Sequence, residues 1–353
     1  YTDSSCPALL LEPQRTNLVP HSEYLEDLSS INASLSANEA ISPDGGNNAT
    51  KLGAFVAAPS NQWARYFNIV QPNQKQALSI YAKAGNIDDF TITYYDQSTS
   101  DLFFNYDLAA GSVSAPTGSP YYVDADIQDM GNGWYRCIAI VNAQASGTNA
   151  QFQISAGVQR VVSNIGDYVY IYGYQWEQDA SYATSYIPTY GTSVTRNADA
   201  ALKTGISSLI GQSEGVIYNK INFSNTSGIA GAWSISTGST ANRITMNTIG
   251  VNATHFTLSI AQNYNSGSTK LLSANVTYGA NHKVAIKYSS TTMKLFIDGQ
   301  LSGSVSTDGF GNYANFYIGA NQTGVGGETR NFKESILFPT ALTDQEAIDL
   351  TTI

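Results

Sequence analysis

Apolar and polar residues alternate with a period of two through most of the chain, in short runs broken by Gly, Asn, Asp, Ser and Pro. That period puts the apolar side chains on one face of a strand, and the β-branched and aromatic content of the runs strengthens the reading. In the first half it predicts strands over 49–56, 63–70, 75–83, 89–95, 102–108, 121–130, 134–143, 150–157 and 168–177. The rhythm resumes over 215–223, 231–237, 242–248, 255–261, 270–277, 282–289, 292–297, 301–306, 316–319 and 331–338. Between Gln178 and Leu202 it lapses. That segment reads as a closing strap, with Tyr182, Tyr186, Ile187 and Tyr190 available to pack on the preceding strands, followed by a linker.

Two local signals are sharper. Asp298-Gly299 falls between two strand-like runs and fits a type I′ hairpin turn, whose central residues both need positive φ. Near the C-terminus LTDQEAIDLTT has a helical pattern, with Thr343 as N-cap and Glu346 three residues on, the spacing of a capping box. Many short strands and one short helix make the expected fold class all-β: two tandem antiparallel β-sandwiches of jelly-roll type with a short C-terminal helix. The 353 residues suit two domains. The expected division is an N-terminal strap over 1–30, a first sandwich over 31–204, a linker over 205–213 and a second sandwich over 214–353. The opening at Tyr1 reads like the middle of a protein, so upstream sequence is expected.

Composition changes the picture in one respect. Charged residues make up only 12% of the chain, roughly half the usual share. The polar surface is therefore built of Ser, Thr, Asn, Gln and Tyr, which favours hydrogen bonding and stacking with neutral sugars, or close subunit contacts. The net charge is −10 and no Lys/Arg run occurs. Nucleic acid needs a cationic stripe to neutralise phosphates, and a membrane surface needs a basic amphipathic face, so neither partner is expected. No stretch is long and apolar enough for membrane insertion. Cys6 and Cys137 leave both a disulfide and a pair of free buried thiols open, and two cysteines do not make a disulfide framework.

Catalytic signals are sparse. His21, His255 and His282 are scattered, and no metal-spacing motif or phosphate-cradling loop occurs. The second half has no closely spaced carboxylate pair, so no catalytic residue is expected and the chain reads as a non-enzyme. Asp124, Asp126 and Asp129 alternate on an expected strand. They are the candidate ligands of a structural Ca2+, with solvated strand-edge carboxylates as the alternative; no other cofactor is expected. Trp134 and Trp176 read as core. Trp63, Trp233, Tyr95 and Tyr121 are the candidate sugar-stacking residues, because an aromatic face packs against the C–H face of a sugar ring.

Two stretches resemble known families. HKVAIKYSSTTMKLFIDGQLSGS, FYIGAN and RNFKESILFPTALTDQEAIDLTT resemble a concanavalin A-like lectin/glucanase domain of the laminin-G type, over 214–353. That resemblance implies the fold and little about function. CPALLLEPQRTNLVPHSE, GNGWYRCIAI, GDYVYIYGYQWEQ and SYIPTYGTSVTRNAD resemble a domain of phage structural and tail-associated proteins. It implies a carbohydrate-binding-module-like jelly roll and transfers no catalytic residues. The expectation is a non-catalytic virion surface protein, a fibre, tail or capsid decoration, adhering to host or environmental glycans. Its partners would be cell-surface or extracellular polysaccharide, other virion proteins and further copies of itself, a trimer among the options. An accessory module of a secreted polysaccharide-degrading enzyme and a purely structural assembly protein are the alternatives.

Overall fold

The computed structural model describes residues 9–57, 61–67, 74–95, 101–143, 151–223, 229–251, 254–265, 267–320 and 330–353. Cys6 and positions 68–70 and 150 of two expected strands lie outside them. Strands dominate, and the one α-helix among the described residues is Asp344–Thr351. The chain divides into two compact units, Arg15–Arg196 and a terminal unit made of Tyr1–Gln14 with Asn197–Ile353. Each is a β-sandwich, as the alternation predicts.

In the 15–196 unit one six-stranded sheet runs in the order Ser112–Ser114, Leu102–Asp107, Asp89–Tyr95, Gln151–Ala156, Trp63–Phe67, Ser29–Ile31. The opposing sheet runs Tyr122–Gly131, Trp134–Asn142, Lys75–Ala84, Tyr168–Gln178, Ala49–Ala54, Ala33–Ala40. All pairings are antiparallel. Alternation along Leu102–Asp107 shows why the sheets stack: Leu102, Phe104 and Tyr106 turn inward and are buried, while Phe103, Asn105 and Asp107 turn outward. They meet Phe152, Ile154, Leu78, Ile80, Cys137 and Trp176 in a single core between the sheets. Trp176, wholly buried, donates its indole N–H to Gln76 Oε1 at 2.8 Å. Cys137 is a buried free thiol.

The outer face of the Lys75–Ala84 strand is covered as well, which is why its run is almost continuously buried. Tyr186 packs edge-on against Tyr81 and tilted against Tyr172, with ring centroids 5.8 and 5.9 Å apart. Tyr182 and Ala183 pack beside Ala77, Ile138 and Ile140. The strap is pinned by the buried carboxylate of Glu177, which accepts from Thr184 Oγ1 at 2.6 Å, Thr184 N at 3.0 Å and Gln175 Nε2 at 3.0 Å. Arg136 donates to the Thr184 carbonyl at 2.5 Å. Burial pushes the Glu177 carboxyl above its ordinary value against those hydrogen bonds and the nearby Arg136. Tyr190, by contrast, is 65% exposed.

The terminal unit stacks Leu9–Leu11, Arg330–Phe338, Glu214–Phe223, Asn281–Ser289, Thr292–Ile297, Gln300–Ser306 against Ala201–Lys203, Asn315–Ile318, Ile229–Ser236, Arg243–Gly250, His255–Asn263, Lys270–Thr277. Asp298 and Gly299 adopt φ 48° and 80°, as a type I′ turn requires. Thr343 and Glu346 form the reciprocal capping box. The helix seats Ala347 among Val216, Tyr218, Ala285 and Phe296.

Unit boundaries differ from those expected. Residues 205–213 are no free linker, since Ile206 and Ile210 are buried in the terminal core and Tyr288 donates to the Gly211 carbonyl at 2.9 Å. Residues 1–30 are not one strap: Leu9–Leu11 pairs with Arg330–Phe338, whereas Val19, Leu25 and Leu28 join the core of the 15–196 unit. The Ala201–Lys203 strand pairs with Asn315–Ile318, so the first sandwich ends before it. Strands of three residues carry too little alternation to be read locally; Leu9–Leu11 and Ala201–Lys203 are created by partners more than 100 positions away.

Candidate functional site

The outward face of the first sheet of the 15–196 unit concentrates hydrogen-bonding side chains. On the QFQISA strand, Phe152 and Ile154 turn into the core, so Gln151 and Gln153 turn out. Register puts Arg65 and Thr93 on either side of Gln153, and Phe103 beyond Thr93. Tyr95 lies beside Gln151. Gln151, Gln153 and Thr93 form a buried floor, and half-buried Trp63, Arg65, Tyr95 and Phe103 form a rim above it.

The floor and rim are wired together. Arg65 Nη1 donates to Gln151 Oε1, and Gln153 Nε2 donates to the same oxygen at 3.3 Å. Arg160 Nη1 donates to Gln153 Oε1 at 2.6 Å, and its Nη2 pairs with Asp101. Each guanidinium lies over a ring: Arg65 over Trp63 at 4.4 Å and Arg160 over Phe103 at 5.1 Å. Cation–π stacking of this kind holds a guanidinium flat while its edge stays a donor. Burial pushes the Arg65 guanidinium below its ordinary value, with Tyr95 opposing.

Arg160 reaches this face from a strained turn. Val158 and Val161 exchange backbone hydrogen bonds at 3.1 and 3.0 Å, and the two residues between them, Gln159 and Arg160, have φ of 52° and 68°. Positive φ in long side chains costs roughly 1–3 kcal/mol per residue and persists where the surroundings enforce it. Here the Gln159 amide donates to Thr91 Oγ1 and Asn105 Oδ1 at 3.1 and 3.0 Å, and the Gln62 amide donates to the Arg160 carbonyl at 2.9 Å. Gly157, at φ 80°, opens the turn; a Cβ there would stand 2.1 Å from the Val161 carbonyl oxygen.

Of the four aromatic residues singled out from the sequence, the structure brings Trp63 and Tyr95 onto this one face. Tyr121 lies elsewhere, half-buried against the core of the same unit. Trp233 is a correction: it is wholly buried in the terminal core among Ile235, Ile244 and Met246. Its strand sits between two neighbours, and a register shift after Gly231 aims both Ala232 and Trp233 inward. The residues missed were Arg65, Thr93, Phe103, Gln151, Gln153 and Arg160. The alternating amides of QFQ were the available signal.

The Ca2+ reading is also corrected. Asp124, Asp126 and Asp129 are exposed on the edge strand, and each spends a carboxylate oxygen on a neighbouring backbone amide, of Ala125, Ile127 and Gly131. Among the described residues no group of three His, Cys, Asp or Glu is placed to hold a metal ion. In the terminal unit an open polar cleft of about 400 Å3 is lined by His255, Asn275, His282 and Asp298. His282 is tied up there, with Nδ1 2.7 Å from Asp298 Oδ2 and Nε2 2.9 Å from the Thr277 carbonyl. The imidazole thus bridges the Asp298 carboxylate and the Thr277 carbonyl and serves as a pin between two strand ends.

No family model and no curated protein matches the chain. Among solved structures it is similar to the CBM40 module of the Ruminococcus gnavus IT-sialidase, at 16% identity over 42% of this chain and 92% of that one, TM-score 0.35. A SAP-like pentraxin from Limulus polyphemus is 16% identical over 38% of this chain and 68% of that one, TM-score 0.32. GH43B of the Bacteroides ovatus xyloglucan PUL is 10% identical over 89% and 76%, TM-score 0.29. At such identities and TM-scores these likenesses say nothing of what the present chain binds.

Proposed function

We propose that this protein is a non-catalytic glycan-binding protein, and that the Trp63–Arg65–Gln151–Gln153–Phe103–Arg160 face is its site. The observation that carries the reading is the buried pair of amides under a rim of stacked arginines and aromatics. Vicinal sugar hydroxyls donate and accept at once, which suits amides and guanidiniums fixed in place, and ring C–H faces pack on Trp63, Tyr95 and Phe103. Thr93 Oγ1, wholly buried beside Gln153, has no hydrogen-bond partner among the described residues. Side chains already ordered by one another lose little rotamer freedom on binding.

The test is a glycan and polysaccharide array probed with the intact chain and with its Trp63→Ala and Gln153→Ala variants. Binding that both substitutions weaken, with the fold retained, supports the reading; silence across a broad array sinks it. The setting we propose is a virion surface, outside the host cell, with other virion proteins and further copies of the chain as neighbours. It is supported by the four phage-like motifs, and immunogold labelling of purified particles tests it.

A further inference from the structure

We infer that Asp124, Asp126 and Asp129 guard the long open edge of the 15–196 unit against strand addition by a second copy of the chain. A sheet's outermost strand presents unpaired N–H and C=O groups, which pair readily with a strand of another molecule. Among the described residues the two sheets of this unit end on four strands. Ser29–Ile31 and Ser112–Ser114 have three residues each, too few to template a neighbour. Ala33–Ala40 is interrupted: its register with Ala49–Ala54 shifts between Ser36 and Ala40, and Asn38 takes φ 61°. Such an irregularity bends an edge and breaks its row of pairing groups. That leaves Tyr122–Gly131, ten residues long and paired on one side only, with Trp134–Asn142. Its register runs unbroken from Asp124 to Asp129.

The aspartates act on this edge in two ways. The first is occupation of its donors. Asp124 and Asp126 are exposed, while Ala125 and Ile127 turn toward the core. Asp124 Oδ1 accepts the Ala125 N–H at 2.9 Å, and Asp126 Oδ1 accepts the Ile127 N–H at 2.9 Å. Amides two residues apart leave a strand on the same side, and an N–H held by the preceding carboxylate is not one spent on the ladder. These are the donors an incoming strand would need, and both are taken. Asp129 Oδ1 accepts the Gly131 N–H at 2.7 Å, where the register shifts and the strand ends. Gln128 Nε2 donates to Asp126 Oδ2 at 2.8 Å and fixes that carboxylate in place.

The second is charge. Three carboxylates fall within six residues of the edge, and no Lys or Arg stands among Tyr122–Gly131. Two copies meeting edge to edge about a two-fold axis present the same strand to itself. Carboxylates then face carboxylates across the new pair, and like charges directly opposite destabilise it. A metal site would need the three groups to converge, whereas a guarded edge needs them spread along the strand, which is how they stand. Solubility alone would be served by any polar side chain; a carboxylate one residue before each of two like-facing amides does more.

The experiment follows the intact chain and three triple variants by sedimentation velocity over a concentration series. Asp124→Thr with Asp126→Thr and Asp129→Thr removes caps and charge and leaves a good strand former at each position. The same three positions changed to Asn lose the charge and keep an oxygen able to cap. Glu26→Gln with Asp27→Asn and Asp179→Asn takes equal charge from exposed positions off this edge. The threonine triple is expected to self-associate at concentrations about tenfold or more below the parent chain, with the asparagine triple between them and the off-edge triple like the parent. Hydrogen exchange should slow in Tyr122–Gly131 on association and stay unchanged in Ala33–Ala40. A threonine triple that sediments like the parent overturns the inference. So does association matched by the off-edge triple, or protection that appears away from Tyr122–Gly131. Should the threonine triple fail to fold, the asparagine and off-edge triples decide: equal association overturns the inference, and more in the asparagine triple supports it.

Discussion

Gln153 holds the candidate site together at the scale of single residues: its amide nitrogen reaches Gln151 and its amide oxygen receives Arg160. Gln153→Leu keeps the approximate shape and removes both bonds. We expect it to lose glycan binding and to destabilise the fold by about 1–3 kcal/mol, because the Arg160 donor is left buried without its acceptor. Chemical denaturation alongside the array measures both. A second residue sets an acid limit. Asp44 is held down to about 2 by the Ser42 hydroxyl first, then by the Gly46 amide, the Tyr172 hydroxyl and the Asn48 amide, with burial opposing. A carboxyl lowered in the folded state adds stability above its unfolded value of 3.8 that is lost as the pH falls toward 2. Thermal melts of Asp44→Asn between pH 5 and about 2 should therefore show a shallower acid limb than the parent chain.

At the scale of elements, one turn and one cap carry testable weight. Gly157→Ala adds a Cβ that meets the Val161 carbonyl and must itself adopt φ near 80°. We expect a loss of roughly 2–4 kcal/mol from strain and clash together, and weaker glycan binding because Arg160 is displaced. An unchanged melting temperature would contradict the turn as described. Thr343→Ala removes the hydroxyl that accepts from Glu346 N at 3.2 Å and should cost about 1 kcal/mol without touching binding. The two hairpin devices differ in how openly they show themselves. Asp298-Gly299 was legible because its residues tolerate positive φ; Gln159-Arg160 was not, because its residues do not and only the surrounding hydrogen bonds hold them there.

For the whole molecule, each sandwich has its own core, and this has consequences for substitution. Trp233→Ala empties space among wholly buried neighbours of the terminal unit and should cost about 3–5 kcal/mol. It leaves the candidate site chemically intact, so glycan affinity should be unchanged at temperatures where the protein is folded. Residues 15–196 close on themselves through the pairing of Arg15–Asn17 with Val194–Arg196. Expressed alone, they should fold cooperatively and retain whatever the face binds; a fragment with strand-like circular dichroism but no binding would move the site to the terminal unit.

What the linear chain determined by itself was local: strand alternation at 89–95, 270–277 and 292–297, the type I′ turn at Asp298-Gly299, and the Thr343 capping box. These depend on periodicity and on φ preferences carried by neighbouring residues. Tertiary structure decided the rest. It alone paired Leu9–Leu11 with a strand more than 300 positions on, sank Trp233 while leaving Trp63 at a rim, and left Asp124, Asp126 and Asp129 dispersed. It also gathered Arg65, Gln151, Gln153 and Arg160, whose chemistry depends on strand register across a sheet and on a turn held against its own preference. A one-residue slip in that register would send every one of those strand side chains to the opposite face.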